Sequence, residues 1–508
     1  MSQFNYAIPN EYQVATPLAA LSPRRSSRHD GTVLCRSRST DAGKGQNDED
    51  PKSGYRAPSR IDPQSCQYPS ETGRELRKSF WWSGGDKGTL EAQQGRGEVV
   101  GLWYEKMPDF PIVNEMPMLS LAARSAVRQL RSSKIREVAN TGIGKKDVIA
   151  FWFGEPDEVT PDFIRQAGIE ALKRGETFYT ENLGIPELRD AIGNYLSRLH
   201  RPGETGQITS DNIAVTSSGM SALMLTTQSL VGPGDRVVIV TPVWPNLVEI
   251  PKILGAEAVT FPLSFTPAGW TLDLERLLAT LEPGTRAVYI NSPNNPTGWT
   301  IDREAQRAIL EHCRTHGIWI LSDDAYQRLY YGNGAAPSFL DIADTRDRVV
   351  STNTFSKSWL MTGWRLGWIM APRELIANLG TLLEYNTSCA PCFVQRAGIV
   401  AIEQGEPVVA RTLTRLRKAR DFLSARLREI PGIEATLPPG AMYSFFKVHG
   451  VTDSLAFCKK LVFDTGLGLA PGIAFGPEGE GYLRWCFAAN EERLAQGIER
   501  LRKAVEHR

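Results

Sequence analysis

The sequence predicts an α/β fold: a large domain on a mostly parallel sheet, with a smaller α+β domain built from segments on both sides of it. Two observations carry this. Through the middle of the 508-residue chain, short apolar runs alternate with stretches of helical periodicity, the pattern of strands joined by crossover helices. From about residue 400 the order changes to a long helix, the strand-like run MYSFFKV, a further helix, YLRWCFA and a last helix.

Residues 1–115 stand apart. They are rich in Ser, Arg, Gly, Asp and Pro (SPRRSSRHDG, STDAGKGQNDEDPKSG) with almost no apolar periodicity. Such a composition cannot bury enough apolar surface to offset chain entropy, so this segment is expected to be disordered or a non-native extension. Its Arg/Ser content suits a transit peptide, but Asp30 and the acidic run at 48–50 oppose that. A native start near Met116 or Met118 is the other expectation.

From Leu119 the pattern is ordered. SLAARSAVRQLRSSKIREVANTG has apolar residues at helical spacing and closes on Gly142, which predicts one helix. DVIAFWFGEPD reads as a strand running into a turn at Gly154-Glu155-Pro156-Asp157, so 116–158 form an arm and part of the smaller domain. Thr160 and Pro161 cap a helix through Arg174, a loop carries Tyr179, and IPELRDAI opens a second helix. The alternation then runs through NIAVT, Ser217-Ser218-Gly219 and MSALMLTTQSL; DRVVIVTP; RAVYINSP; GIWILSDDAY; and RVVSTNT. This sets the large domain at 159–395 and the smaller C-terminal domain at 396–508. There are no internal repeats.

A net charge of +1 predicts neither a nucleic-acid footprint nor attraction to an anionic membrane. Seven cysteines lie scattered, and only Cys389 and Cys392 sit close, with no second pair or histidines to complete a zinc site. Reduced thiols in the cytoplasm are expected. No apolar run approaches the roughly 18 residues of a membrane span, and the first residues show no secretory signal.

The chemistry centres on TNTFSKSWLMTGWRLGW, from Thr352 to Trp368. Lys357 follows a run that reads as a buried strand, Thr354, Ser356 and Ser358 flank it, and Arg365 comes eight positions later. A lysine amine can attack a carbonyl and stay attached as a Schiff base. Hydroxyls and an arginine suit a phosphate. An aldehyde cofactor with a phosphate fits all of these, and pyridoxal 5'-phosphate is that molecule. The same stretch also fits a surface Ser-Lys-Ser turn with Arg365 in an ordinary ion pair.

Other candidates fall at predicted strand ends, where such a sheet gathers its ligands. Ser218, Gly219 and Met220 stand between a strand and a helix, where backbone N–H groups can hold a phosphate. Trp244 offers a flat face to an aromatic ring. Asn295, in SPNNPTG, is a hydrogen-bond donor fixed by turn chemistry. Asp323 ends an apolar strand, and a buried carboxylate there needs a positive partner such as a protonated pyridine nitrogen. Asp324 is its rival. Tyr326 could donate to a cofactor's phenolic oxygen.

SPNNPTG, SDDAY, FSKSWLMTGWRLGW and YLRWCF, in this order, resemble the signatures of class I/II pyridoxal-phosphate-dependent aminotransferases of fold type I, the aspartate-aminotransferase-like superfamily. Asn295, Asp323, Lys357 and Arg365 follow one another at intervals of 28, 34 and 8 residues, and the likeness runs from about Leu119 to the C-terminus. It implies a seven-stranded, mostly parallel sheet. By it, Lys357 carries the cofactor as an aldimine and moves the Cα proton, Asp323 pairs with the ring nitrogen, and Asn295 and Tyr326 hold the ring oxygen. Trp244 would stack on the ring. Ser218, Gly219, Met220, Thr354, Ser356 and Arg365 would take the phosphate. Tyr179 resembles the tyrosine that crosses from a partner subunit, implying a homodimer with shared sites. Arg484 matches the arginine that clamps the substrate α-carboxylate, and Gly154 a glycine lying over the substrate. Met220 departs from the family, standing where many relatives have a polar side chain, so only its N–H should count.

The resemblance implies amino transfer from an L-amino acid to a 2-oxoacid by a ping-pong route, with 2-oxoglutarate and glutamate as one pair. A β- or γ-elimination lyase on the same fold is the alternative. An aminotransferase-like transcription regulator would need a basic helix-turn-helix, which 1–115 lack. Phe151, Trp152, Phe153, Phe475 and Trp485 near the site would suit an apolar or aromatic substrate, or equally strand core. No second arginine stands out for a dicarboxylic one.

Overall fold

A computed structural model of the chain describes residues 123–200 and 207–506. The expectations for 1–115, including a native start near Met116 or Met118, lie outside the described residues. The larger sheet has seven strands: β1 (Ile213–Thr216), β2 (Arg236–Thr241), β3 (Glu257–Pro262), β4 (Thr285–Asn291), β5 (Trp319–Asp323), β6 (Val349–Thr354) and β7 (Gly367–Met370). Their order is β1-β7-β6-β5-β4-β2-β3. All neighbours pair in parallel except β7, which runs antiparallel to both β1 and β6. The residues of β1, β6 and β7 are buried throughout, as expected of strands covered on both faces.

The helices that matter for the site are α1 (Lys134–Gly142), α2 (Asp162–Lys173), α3 (Pro186–His200), α4 (Gly219–Leu230), α5 (Cys392–Gln404), α6 (Glu406–Arg428), α7 (Ser454–Asp464) and α8 (Glu491–Glu506). Two local expectations change. The single helix predicted over 120–142 is broken: a one-turn helix at Ser125–Arg128 precedes α1, and Ser133 Oγ accepts the Arg136 N–H as a cap. A serine that satisfies a free backbone donor ends one helix and starts another more readily than it sits inside one. Thr160 does not cap α2. Its hydroxyl donates to Leu360 O and accepts from Trp364 Nε1, tying the start of α2 to the segment after Lys357.

The tail supplies a smaller antiparallel sheet of β8 (Ile433–Glu434), β9 (Tyr443–Val448), β10 (Ala470–Pro471) and β11 (Tyr482–Cys486), ordered β8-β9-β11-β10. Ile149–Ala150 pairs in parallel with Leu467–Gly468, so residues just before the Gly154 turn join those just before β10. Gly468 is required there, because a Cβ would lie 2.2 Å from the Trp152 ring. One buried apolar cluster runs from Val238, Val288 and Ile320 of the larger sheet to Phe446, Leu483 and Trp485 of the smaller.

Candidate active site

The carboxyl ends of β4, β5 and β6 open into a cavity of about 520 Å³, closed over by Trp152, Phe153 and Gly154 and by Tyr443 and Arg484. Of the residues singled out in the sequence, Gly154, Gly219, Met220, Trp244, Asn295, Asp323, Tyr326, Thr354, Ser356, Lys357, Arg365 and Arg484 line it. Two do not. Ser218 lies behind the wall, accepting the Ser221 N–H as the cap of α4. Tyr179 is 89% exposed on its loop.

β6 ends at Thr354 and turns into the short helix Phe355–Ser358, which presents Lys357 to the cavity. Its Nζ donates to Gly154 O at 2.5 Å and sits 5.8 Å from the centre of the Tyr326 ring. Burial pulls the ammonium pKa down to about 8, because taking it out of water disfavours the charged form.

The adjacent aspartates are told apart by their partners. Asp324 points away from the cavity and accepts from Ser322, Ser351 and Ser338 hydroxyls at 2.6, 2.5 and 3.3 Å. Asp323 faces the cavity, and its carboxylate has one hydrogen bond among the described residues, from the Ala325 N–H at 3.2 Å. Burial raises its carboxyl to about 7, against that N–H, which lowers it.

Asn295 is set by Asn291 at the end of β4, whose Oδ1 accepts the Asn295 N–H at 2.7 Å and whose Nδ2 donates to Asp323 O. Arg484 Nη1 donates to Asn295 Oδ1 at 3.1 Å, and Nη2 donates to Trp152 O. Its Nε, though buried, has no partner among the described residues. Tyr326 and Tyr443 share a 2.7 Å hydroxyl–hydroxyl bond, and burial raises both phenols.

At the other end lies the N-terminus of α4, where the Gly219 and Met220 N–H groups precede the first intrahelical bonds. Gly367 lets β7 pass close beneath, since a Cβ there would come within 2.5 Å of Gly219 N. Thr354 Oγ1 bonds Ser356 Oγ at 2.9 Å. Arg365 adopts a left-handed backbone (φ 55°), donates to Thr362 O at 2.7 Å, and pairs with no carboxylate among the described residues. Donor N–H groups, two hydroxyls and an unpaired guanidinium make a receptor for a phosphate.

Sequence reasoning missed Tyr443, Asn291, Asn246, Ser133 and Arg136, all on the cavity wall. The signal for Asn291 was available, a polar residue closing an apolar strand. Tyr443 is indistinguishable from core in MYSFFKV. Of the five aromatics near the site, Trp152 and Phe153 line the cavity. Phe151, Phe475 and Trp485 belong to the core, with Phe151 against Trp485 at 4.8 Å between ring centres.

The donor set fits pyridoxal phosphate: an anion receptor at one end, a buried carboxylate without a cation at the other, and a lysine between them. Comparison with known proteins agrees. Residues 146–501 match the family described as aminotransferase class I and II. The aspartate aminotransferase of Pyrococcus horikoshii is 34% identical over 384 residues, 74% of this chain and 95% of the relative. Among solved structures, aspartate aminotransferase from Thermotoga maritima matches with a TM-score of 0.70 at 30% identity, over 76% of this chain and 100% of that one. Aromatic aminotransferase from P. horikoshii matches with a TM-score of 0.67 at 29% identity, over 73% and 99%. This chain belongs to the class I and II aminotransferase family. It is a pyridoxal-phosphate-dependent aminotransferase of fold type I, acting on amino and 2-oxo acids. No helix among the described residues is long and apolar enough to cross a membrane.

Proposed function

We propose that the chain moves the amino group of an apolar or aromatic L-amino acid to 2-oxoglutarate, using the cavity residues in the roles the resemblance implies. One observation carries the site assignment. Arg484 and Asp323 are both buried (2% and 6% exposed), share one cavity, and neither has an ion-pair partner among the described residues. A buried charge without a counter-ion costs several kcal/mol, on the order of 3–5 when a partner is missing. The pair therefore suits ligands that bring an anion to Arg484 and a cation to Asp323.

Bound there, pyridoxal phosphate supplies an aldehyde to a substrate amine and a ring that takes up the electron pair left at Cα. The chain's own residues do the rest. Arg484 holds the α-carboxylate through paired N–H donors, which fixes the Cα–H direction. Lys357, its amine drawn toward neutrality, takes the proton from Cα and returns it. Asp323 keeps a proton on the ring nitrogen. Tyr326 and Asn295 donate to the ring oxygen, and Trp244 covers one face. The first N–H groups of α4 with Thr354, Ser356 and Arg365 hold the phosphate, and Ser218 acts through its cap.

The donor class rests on the wall of Ile135, Trp152, Phe153, Met220, Leu223 and Trp244. Relatives include both aspartate and aromatic aminotransferases, so the wall argues for the latter kind. We propose domain limits of 116–158 with 396–508 for the smaller domain and 159–395 for the larger, in a cytoplasmic homodimer. Exposed Phe178, Tyr179 and Tyr385 (83–89% exposed) support the dimer, with Tyr179 reaching the partner's phosphate. A panel of amino donors against 2-oxoglutarate tests the reading. Faster turnover of phenylalanine, tyrosine or leucine than of aspartate supports it, and the reverse order overturns the donor class. Pyruvate and ammonia formed without an added oxoacid would point to a lyase.

A further inference from the structure

Tyr443 is the first residue of β9, buried to 1% exposure, and it touches both ends of the substrate site. Its hydroxyl meets the Tyr326 hydroxyl at 2.7 Å, and the two rings stand nearly at right angles, 5.6 Å apart. The Arg484 guanidinium lies over its ring, 4.5 Å from the centre. Tyr326 has no other side-chain hydrogen bond among the described residues.

A phenol donates one hydrogen bond and accepts up to two. If Tyr326 is to donate outward to a ring oxygen, the bond it shares with Tyr443 must run from Tyr443 to Tyr326. The Arg484 charge acts on both phenols but lies over the Tyr443 ring and weighs more on it, which favours Tyr443 as the donor. A carboxylate on Arg484 offsets the charge and weakens the bias. We propose that Tyr443 is a positioning residue that couples occupation of Arg484 by a carboxylate to the strength of the hydrogen bond Tyr326 gives the cofactor. The other charged or titratable groups facing this pair are Asp323 from β5, Lys357 from the short helix after β6 and Cys486 from β11. All three remain in the variants below.

This rests on the cofactor assignment, and the test separates the two. The readout is the pH midpoint of the cofactor's near-visible band in the holoenzyme, with and without a carboxylate that has no amine. The probes are 3-phenylpropanoate and succinate. In wild type, offsetting one nearby charge should raise the midpoint by about one pH unit. In Tyr443→Phe the same probe should move it less far than in wild type, the remainder coming from the charge itself and from the Arg484–Asn295 bond, at an unchanged melting temperature. Tyr326→Phe should lose the same portion, and the double variant no more than either. A full shift in Tyr443→Phe or in Tyr326→Phe overturns the coupling, as does a wild-type midpoint that neither probe moves. Absence of any near-visible band in wild type would instead overturn the cofactor assignment. If Tyr443→Phe fails to fold, Tyr326→Phe decides alone.

Discussion

Arg484 and Asn295 form one unit: the guanidinium donates to the amide oxygen at 3.1 Å, while the Asn295 backbone is pinned to Asn291. The arginine comes from β11 of the smaller sheet and the asparagine from the turn after β4 of the larger. In the proposed roles, the side chains that serve substrate carboxylate and cofactor ring oxygen therefore set each other's direction.

Replacing Arg484 by Lys keeps the charge and removes the paired donors. Two charge-assisted bonds are at stake, so kcat/KM for any amino acid should fall about 10²–10³-fold. The cofactor band should be retained. A loss under about threefold in steady-state kinetics would exclude Arg484 from carboxylate binding.

In Lys357→Ala, turnover should fall by at least about 10²–10⁴-fold, the share of general acid–base transfer alone. Borohydride treatment of wild type should fix the cofactor to the peptide bearing Lys357, and treatment of the variant to none. Peptide mapping by mass spectrometry reads both. An adduct on another lysine would refute the assignment.

Asp323 and Lys357 make the cofactor-free protein pH-sensitive in opposite senses. The Asp323 carboxyl rises from about 4 unfolded to about 7 folded, so its contribution is fully present below about pH 4 and is lost as pH climbs through 7. The Lys357 amine falls from about 10.5 to about 8, so its cost persists below about pH 8 and is relieved toward 10.5. Near pH 7–8 both costs apply. Cofactor-free Asp323→Asn should therefore melt higher than wild type at pH 8, with the gain gone at pH 4, and should release cofactor faster on dialysis. Equal melting temperatures at pH 8 would contradict the buried, unpaired carboxylate.

Asp324→Ala should behave in the opposite way. It strands the buried Ser322 and Ser351 hydroxyls and leaves Ser338 Oγ only the Leu340 N–H, at a cost of about 2–5 kcal/mol in denaturant unfolding, while cofactor affinity stays near wild type. Loss of cofactor without loss of stability would reverse the roles of the two neighbours.

Gly154→Ala places a Cβ 2.0 Å from the Tyr443 hydroxyl and 2.9 Å from its ring carbon. Turnover should fall at least tenfold, for at least about 1.4 kcal/mol of misplacement at the reacting centre. Adding Tyr443→Phe should restore part of it by removing the nearer atom. No recovery in the double variant would place the damage elsewhere.

Much of this site was legible because its residues end strands or closely follow them. Asp323 closes the strand WILSD, Lys357 comes three residues after the buried strand VVSTNT, and Asn295 comes four residues after VYIN, inside a turn. Asp323 and Asp324 are ranked only by the resemblance and not by their own surroundings in the sequence, since the difference lies in Ser338 and Ser351, far along the chain, which satisfy one and not the other. Tyr443 stayed hidden because a buried strand tolerates an aromatic at any inward position. The break before α1 was missed because apolar spacing continues through it, while the deciding contact is a single serine hydroxyl.

The two-residue ladder between Ile149–Ala150 and Leu467–Gly468 has a consequence for biosynthesis. On a ribosome the lysine, the aspartate and the phosphate receptor emerge well before residue 467. Ile149 and Ala150, just before Trp152 and Gly154, have no partner strand until that late segment is made, and Arg484 follows it. The ladder beside the cavity therefore closes only after nearly the whole chain has been made, with Arg484 still to follow.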